Sequence, residues 1–240
     1  MKNRQKIRKG ILLLSFILYP LTYFVMSPDL LLFGASEGVL AGDIMFFAGL
    51  LIFSLFGGRL FCGWICPAGA LQEYAFAVNN KNANNRFNWI KFVPFVPWIA
   101  FFFFLIASAG GIKQTGFFYK RAFGISIAGA TEWVMYFGTV AIVLILSLAS
   151  GKRALCHYLC WVSPFMIVGN WIRNKLHYPS VILKTAPARC NDCRACEKVC
   201  SMSLPVAELM KAGRINHSEC ILCGECADVC TRNVIFFSIS

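Results

Sequence analysis

The amino-acid sequence predicts an all-α polytopic membrane domain followed by a small α+β domain built around cysteines. Three observations predict it. First, 58% of the 240 residues are hydrophobic and only 14% charged. An ordinary soluble domain carries about 25% charged residues, and the deficit here falls in the first two-thirds of the chain. Second, four apolar stretches in that part are long enough to cross about 30 Å of hydrocarbon. Third, all 12 cysteines fall into short groups, with none left over. A secreted disulfide framework scatters its cysteines through a small polar chain. Tight groups beside membrane segments point to metal or redox chemistry instead.

The four stretches run roughly over 7–26, 39–56, 92–110 and 133–150. Pro20 lies inside the first and predicts a kink, tolerated where neighbouring helices satisfy the freed carbonyl. Pro94 and Pro97 open the third, where a first-turn proline costs little. The first stretch also has the basic start of a signal peptide. No small-x-small cleavage site follows Met26, so a retained helix is expected.

Charge orients the spans. The N-terminus carries Lys2, Arg4, Lys6, Arg8 and Lys9, and the loop after the second span carries Arg59, Lys81, Arg86 and Lys91. The loop between spans one and two has no Lys or Arg. Lys113, Lys120 and Arg121, between spans three and four, run against the trend. Both termini are therefore expected in the cytoplasm, and the chain in the cell membrane. The net charge of +12 would also suit nucleic acid, but the basic residues flank apolar segments, so lipid is the expected partner and nucleic acid is not.

Two passages repeat. Gly58-Arg59-Leu60-Phe61-Cys62-Gly63-Trp64-Ile65-Cys66-Pro67 matches Lys152-Arg153-Ala154-Leu155-Cys156-His157-Tyr158-Leu159-Cys160, with Pro164 following. The shared skeleton is Arg-x-x-Cys-x-x-x-Cys, at the end of the second helix of each hairpin. Phe33-Gly34-Ala35-Ser36 and Phe123-Gly124-Ile125-Ser126 echo one another in the outer loops. The pattern predicts two hairpins in the same orientation, related by an axis along the membrane normal. The run 155–172 is apolar enough for a fifth span. Its counterpart 62–78 contains Gln72 and Glu73, so both are expected as short interfacial helices, a depth that suits Trp64, Trp161 and Trp171.

The C-terminal part reads Cys190-x-x-Cys193-x-x-Cys196-x-x-x-Cys200 and then Cys220-x-x-Cys223-x-x-Cys226-x-x-x-Cys230. This is the spacing of bacterial two-cluster ferredoxins, in which three close cysteines hold one cubane and the fourth serves the other. Cys190, Cys193, Cys196 and Cys230 are thus assigned to one 4Fe–4S cluster, and Cys220, Cys223, Cys226 and Cys200 to a second. Zinc knuckles use two pairs, not a third step plus a remote partner. Ser201 and Thr231 stand where a proline usually follows the fourth cysteine; that proline ligates nothing. The domains expected are 1–180 in the membrane and 181–240, a ferredoxin-like α+β unit.

Four spans, two Cys-x-x-x-Cys motifs at the cytoplasmic face and a terminal two-cluster module together resemble the NapH-type family, membrane ferredoxin-type proteins associated with periplasmic nitrate reductase. Related modules occur in nitrous-oxide-reductase accessory regulators and in the cytochrome-oxidase accessory protein CcoG. Trp161 departs from the family's Cys-x-x-x-Cys-Pro. The resemblance implies electron exchange between the quinone pool or a membrane redox subunit and a soluble redox protein. The alternative is an assembly or metal-handling factor for a respiratory reductase or oxidase.

Cysteines four apart on a helix share a face, so the repeat predicts that Cys62, Cys66, Cys156 and Cys160 converge at the cytoplasmic edge. There they hold a further metal or iron–sulfur centre, undergo redox chemistry with a membrane partner, or pack as inert buried thiols; the first two are the expectation. Arg59 and Arg153, at one offset before each motif, fit either the thiolates' charge, a quinone headgroup or simple membrane-edge anchoring. His157 reads as structural, His217 as a solvated loop residue, His177 as a helix cap or headgroup contact. Asp43 and Glu132 read as interfacial acids. No nucleophile–base pair, phosphate loop or dinucleotide fingerprint is present, so the chemistry belongs to cofactors.

Overall fold

A computed structural model describes residues 3–116, 119, 129–176 and 179–239. Lys120, Arg121, the outer-loop echo at 123–126 and His177 lie outside them.

The first apolar stretch is broken. α1 (Asn3–Ile17) stops, and α2 (Tyr19–Thr22) restarts with Pro20 in its first turn and runs into a 3-10 turn through Met26. A proline removes one helical donor and crowds the preceding turn, which accounts for the break. α3 (Pro28–Glu37) then forms where the sequence suggests a loop. Ser27 caps it by accepting the Asp29 N–H, 3.3 Å, and Gly38 at φ 72° ends it.

β1 (Val39–Ala41) leads into α4 (Gly42–Gly57), and α5 (Leu60–Trp64) and α6 (Pro67–Ala75) follow. α7 (Phe92–Ser108) leads to β2 (Gln114–Gly116), which pairs in parallel with β1. α8 (Ala130–Ser150), α9 (Ala154–Tyr158) and α10 (Val162–Leu176) repeat the α4–α5–α6 pattern.

The terminal unit holds β3 (Val181–Thr185), α11 (Ala195–Lys198), α12 (Val206–Leu209), β4 (Arg214–Ile215), α13 (Glu225–Val229) and β5 (Ile235–Ile239). Its sheet is antiparallel in the order β4-β3-β5, with Leu183 opposite both Ile215 and Phe237.

Among the described residues, two segments are long and apolar enough to cross a membrane, Asn85–Ser108 with 24 residues and Ala130–Ser150 with 21. α4 has 16 residues, about 24 Å at 1.5 Å per residue. α7 and α8 present Phe101, Phe103, Phe104, Val134, Phe137 and Ile145 outward. Apolar surface on that scale marks contact with lipid or a partner.

The helices that follow the two motifs pack lengthwise on their neighbours. α10 runs alongside α4 in the same direction: Phe165 meets Phe47 at 5.0 Å between ring centres, Gly169 meets Leu51 and Ser54, and Arg173 reaches Gly58. α6 likewise returns along α1, with the Ser15 hydroxyl donating to the Ile65 carbonyl and Arg8 bonded to Glu73 further out. Each motif therefore enters the helix bundle, turns at its second cysteine and comes back. Any side chain at Gly169 would collide with Ser54, so this close pairing of α10 and α4 needs a glycine. Tryptophans meet protein here rather than the interface: Trp64 Nε1 donates to the Leu222 carbonyl at 3.0 Å and Trp161 Nε1 to Met26 at 2.7 Å. Of the three, Trp171 is well exposed. Because α10 returns, the terminal unit lies at the same end of the bundle as the N-terminus.

Buried ion pairs hold that end together. Arg8 bonds Glu73 at 2.8 Å and Glu225 at 2.7 Å, and Arg153 also binds Glu73. Arg59 and Lys91 grip Glu219 of the terminal unit at 2.5 and 2.6 Å. Burial alone would raise the Glu219 carboxyl, but Arg59 and then Lys91 hold it down at about 2. A depressed carboxylate contributes stability above the ordinary carboxylate range and loses it as pH falls toward 2. At neutral pH the clamp is fully charged. Breaking one partner of such a buried set costs about 3–5 kcal/mol. Glu219→Gln is therefore expected to lower the unfolding temperature of the detergent-purified chain sharply, and Arg59→Met with Glu219→Leu to lower it less. Equal losses in the two variants would argue against the clamp.

Candidate functional site

The two cysteine runs of the terminal unit fold as copies of one loop. Asp192 and Leu222, each two residues after the first cysteine, take positive φ of 54° and 51°. Arg194 and Gly224, two residues further, take 54° and 76°. Such angles are unusual for residues other than glycine. Here they turn the chain so that successive sulfurs face inward. The fourth cysteines match as well: Cys200 Sγ accepts the Leu204 N–H and Cys230 Sγ the Val234 N–H, each at 3.4 Å.

Two cavities result. One of about 360 Å³ is lined by Cys200, Cys220, Cys223 and Cys226, together with Met202 and Leu204. The other, about 400 Å³, is lined by Cys190, Cys193, Cys196 and Cys230. The fold thus gathers each crossed set of four sulfurs around its own space. Among the described residues, no three His, Cys, Asp or Glu side chains close on one point as a single metal ion requires. Four thiols around one space match the ligand count of a cubane. Burial raises the Cys200 thiol to about 12 and the Cys220 thiol to about 11, so ligation there must release protons.

The two sites differ in exposure. Cys193 and its neighbours Asn191, Asp192 and Arg194 are exposed, whereas Cys200, Cys223 and Cys226 are buried. The buried loop sits on the first membrane motif. A side chain at Gly63 would collide with the Ile221 carbonyl. Gln5 Nε2 donates to the Cys223 carbonyl at 3.0 Å, and Arg8 Nη1 to the Gly63 carbonyl at 3.0 Å.

The membrane motifs are also copies. Cys66 N–H bonds the Phe61 carbonyl at 3.0 Å and Cys160 N–H the Leu155 carbonyl at 2.9 Å. Each helix that follows sends a side chain to the other motif. Gln72 Nε2 lies 3.3 Å from Cys156 Sγ, and Met166 Sδ lies 3.5 Å from Cys62 Sγ. Gln72 and Met166 occupy the same place in their repeats, ten residues after the first cysteine. Burial lifts the Cys66 thiol well above its ordinary value, and the Cys62, Cys156 and Cys160 sulfurs lie close enough to lift it further. Cys160 rises to about 12 by the same causes. The four sulfurs are thus near enough to influence one another's charge.

Arg59 and Arg153 flank these sulfurs, both wholly buried, so they are not membrane-edge anchors. Arg153 Nη1 donates to the Cys62 carbonyl at 2.6 Å. Arg59 Nε and Nη2 and Arg153 Nε have no hydrogen-bond partner among the described residues. Buried donors of this kind want acceptors, and metal-bound thiolates beside them are stronger acceptors than neutral thiols.

His157 Nδ1 bonds Asn88 Oδ1 at 2.5 Å, and burial lowers its pKa to about 4, so it packs as a neutral ring. His217 is half-buried at the seam, its Nδ1 accepting the Glu219 N–H at 3.1 Å. Asp43 is buried in the first turn of α4, and Glu132 is half-buried in the first turn of α8. Glu219, Gln72 and Met166 were not singled out as site residues in the sequence. The signal for the last two was their shared offset in the repeat.

A family model described as a 4Fe-4S binding domain matches residues 44–84 and again 131–179, one copy per membrane motif. A second, described as a 4Fe-4S dicluster domain, matches residues 189–235. Among curated relatives, the ferredoxin-type protein NapH of Escherichia coli is 24% identical over 92% of this chain and 76% of its own length. Protein NirI of Paracoccus denitrificans is 29% identical over 72% of this chain, which covers only 25% of NirI. An uncharacterized protein of Methanocaldococcus jannaschii is 24% identical over 78% of this chain and 68% of its own. No solved structure matches the chain. The crossed cavities set the test of ligation. Cys200→Ser is expected to deplete the iron signal of the site formed by Cys220, Cys223 and Cys226, and Cys230→Ser that of Cys190, Cys193 and Cys196. Low-temperature EPR of the two variants distinguishes this from loss at the sequence neighbours.

Proposed function

This chain belongs to the NapH-type ferredoxin family, and on that premise we propose that it carries electrons between a membrane carrier, the quinone pool or a membrane redox subunit, and a soluble redox protein. The observation that supports the reading is the order in which three groups of cysteines follow one another inward. The exposed set Cys190, Cys193, Cys196 and Cys230 lies outermost. The buried set Cys200, Cys220, Cys223 and Cys226 comes next. Its loop rests on Gly63, beside Cys62 of the innermost set Cys62, Cys66, Cys156 and Cys160.

The two ferredoxin sites would each hold a 4Fe–4S cluster, and the innermost set a further metal or iron–sulfur centre. Bound clusters of this class supply one-electron transfer at potentials tuned by burial and by N–H bonds to sulfur. The chain's own residues set both factors: Leu204 and Val234 donate to ligand sulfurs, and Ile221, Leu222 and Met202 keep water from the buried site. The match of a 4Fe-4S model to each membrane motif supports the third site. We place the protein in the cell membrane with four spans, residues 1–180 in or at the bilayer and 181–240 in the cytoplasm beside the N-terminus.

A second reading, handling of copper or of a cofactor during maturation of a respiratory enzyme, is favoured by Met166 Sδ beside Cys62 Sγ. Thiolate and thioether together suit Cu(I). Metal analysis of the full chain separates the two. Electron transfer predicts about eight irons from two cubanes plus iron lost when Cys62 and Cys156 become Ser. Copper in place of that extra iron would favour the second reading. No metal beyond eight irons, with unchanged quinol-driven reduction in the quadruple Ser variant, would remove the innermost site from the function.

A further inference from the structure

The second cysteine loop of the terminal unit is docked on the membrane unit, and the contact has a definite pattern. Trp64 Nε1 donates to the Leu222 carbonyl and Gln5 Nε2 to the Cys223 carbonyl, each at 3.0 Å. Arg4 completes the contact. Its Nη2 lies 3.5 Å from the Gly224 carbonyl and 2.8 Å from Asp228 Oδ1. One guanidinium thus spans the positions four and eight residues after Cys220. The turn between those positions is closed by the Asp228 N–H on the Gly224 carbonyl at 3.0 Å.

The first loop has the same turn and the opposite charge. The positions four and eight residues after Cys190 are Arg194 and Lys198, and the Lys198 N–H bonds the Arg194 carbonyl at 3.3 Å. Side chains four apart on such a turn share a face, about 5–6 Å from each other. Both are exposed, and neither forms an ion pair among the described residues. Exposed Arg189 precedes them. Of the loop's two acids, Asp192 keeps a carboxylate oxygen 3.9 Å from Cys190 Sγ, and Glu197 is half-buried. Ile221 and Leu222, buried where the second loop meets the membrane unit, correspond to Asn191 and Asp192, which are exposed. Apolar residues suit a permanent contact, and polar ones a partner that comes and goes.

We propose that the first cysteine loop is the docking face for a soluble redox protein with an acidic rim. A carboxylate of that partner meets Arg194 and Lys198 in the way that Arg4 meets Gly224 and Asp228 in the second loop. This rests on the electron-transfer reading above and names the partner's chemistry. Docking here brings the partner to Cys193, the exposed cysteine of the outermost site. Charges of this kind steer the encounter, and their pull weakens with salt.

The test uses the full, cluster-loaded chain in detergent and two soluble electron carriers as probes: flavodoxin, which is acidic, and cytochrome c, which is basic. Binding is measured by biolayer interferometry at low and at physiological ionic strength. At low salt flavodoxin is expected to bind at least about tenfold more tightly than cytochrome c, and to lose most of that advantage at physiological salt. Arg194→Glu with Lys198→Glu should weaken flavodoxin at least about tenfold and remove its salt dependence, while the EPR signal of the exposed site stays unchanged. Lys175→Glu with Arg214→Glu makes the same change in net charge at exposed positions on α10 and β4 and should leave binding within about twofold. Flavodoxin bound no better than cytochrome c, or weakened alike by both pairs of substitutions or by neither, would overturn the proposal. Quinol reduction of the clusters, followed by EPR with neither carrier present, tests the electron-transfer reading by itself, so the two fail separately.

Discussion

Four buried cations and two buried carboxylates fix the geometry on which the rest depends. Glu73 binds Arg8 and Arg153, and Glu219 binds Arg59 and Lys91. None of these six groups is more than 6% exposed at its side chain. Charges so far from water persist only when paired. A shift of the terminal unit or of either returning hairpin would part a carboxylate from its cations, so the pairs make the arrangement all-or-none. The apolar packing around them, Phe47 on Phe165 and Met166 over Cys62, would by itself allow sliding. The ion pairs set the register.

The N-terminus belongs to this same structure. Arg4 binds Asp228, Gln5 reaches both Asp228 and the Cys223 carbonyl, and Arg8 reaches Gly63 and Glu225. A basic leader next to an apolar stretch reads in the sequence as an orientation signal. Three of its side chains instead grip the loop that carries a ligand set. The two readings agree physically, since a positive segment left on one side of the bilayer is the one available to a domain that carries paired acids there.

Legibility followed the kind of pattern. The ferredoxin runs were plain because ligand spacing is local, and even the crossing of the fourth cysteines follows from a general rule. The repeat of Arg-x-x-Cys-x-x-x-Cys was plain for the same reason. The returning hairpins were not. Leu60–Trp64 and Ala154–Tyr158 are each a single short turn, and polar residues at 72 and 73 look like a surface when read along the chain. They are buried because their partners, Cys156 for Gln72 and Arg153 for Glu73, come from the other repeat. No window of sequence shows a partner about 80 residues away. The kinked first stretch was legible at Pro20, whereas α3 was hidden by its apolar evenness.

The imperfection of the repeat explains how the two units meet. In the second half, Arg153 lies three residues before Cys156, and Glu73, eleven residues after Cys62, answers it from the first half. Strict symmetry would answer Arg59 from the place eleven residues after Cys156. Ile167 stands there. Arg59 is equally buried and cannot go unanswered, so its carboxylate comes from outside the repeat, as Glu219 beside Cys220. The helix position that lost its acid in one half is thus matched by an acid in the terminal unit. That unit completes the electrostatics of the membrane cysteines by answering Arg59 beside Cys62. Gly63 supplies the steric half of the same preference. His157 fills the equivalent place in the second motif, where its ring would bar the close approach that Ile221 makes to Gly63. Charge and shape therefore select the same one of two nearly equivalent faces.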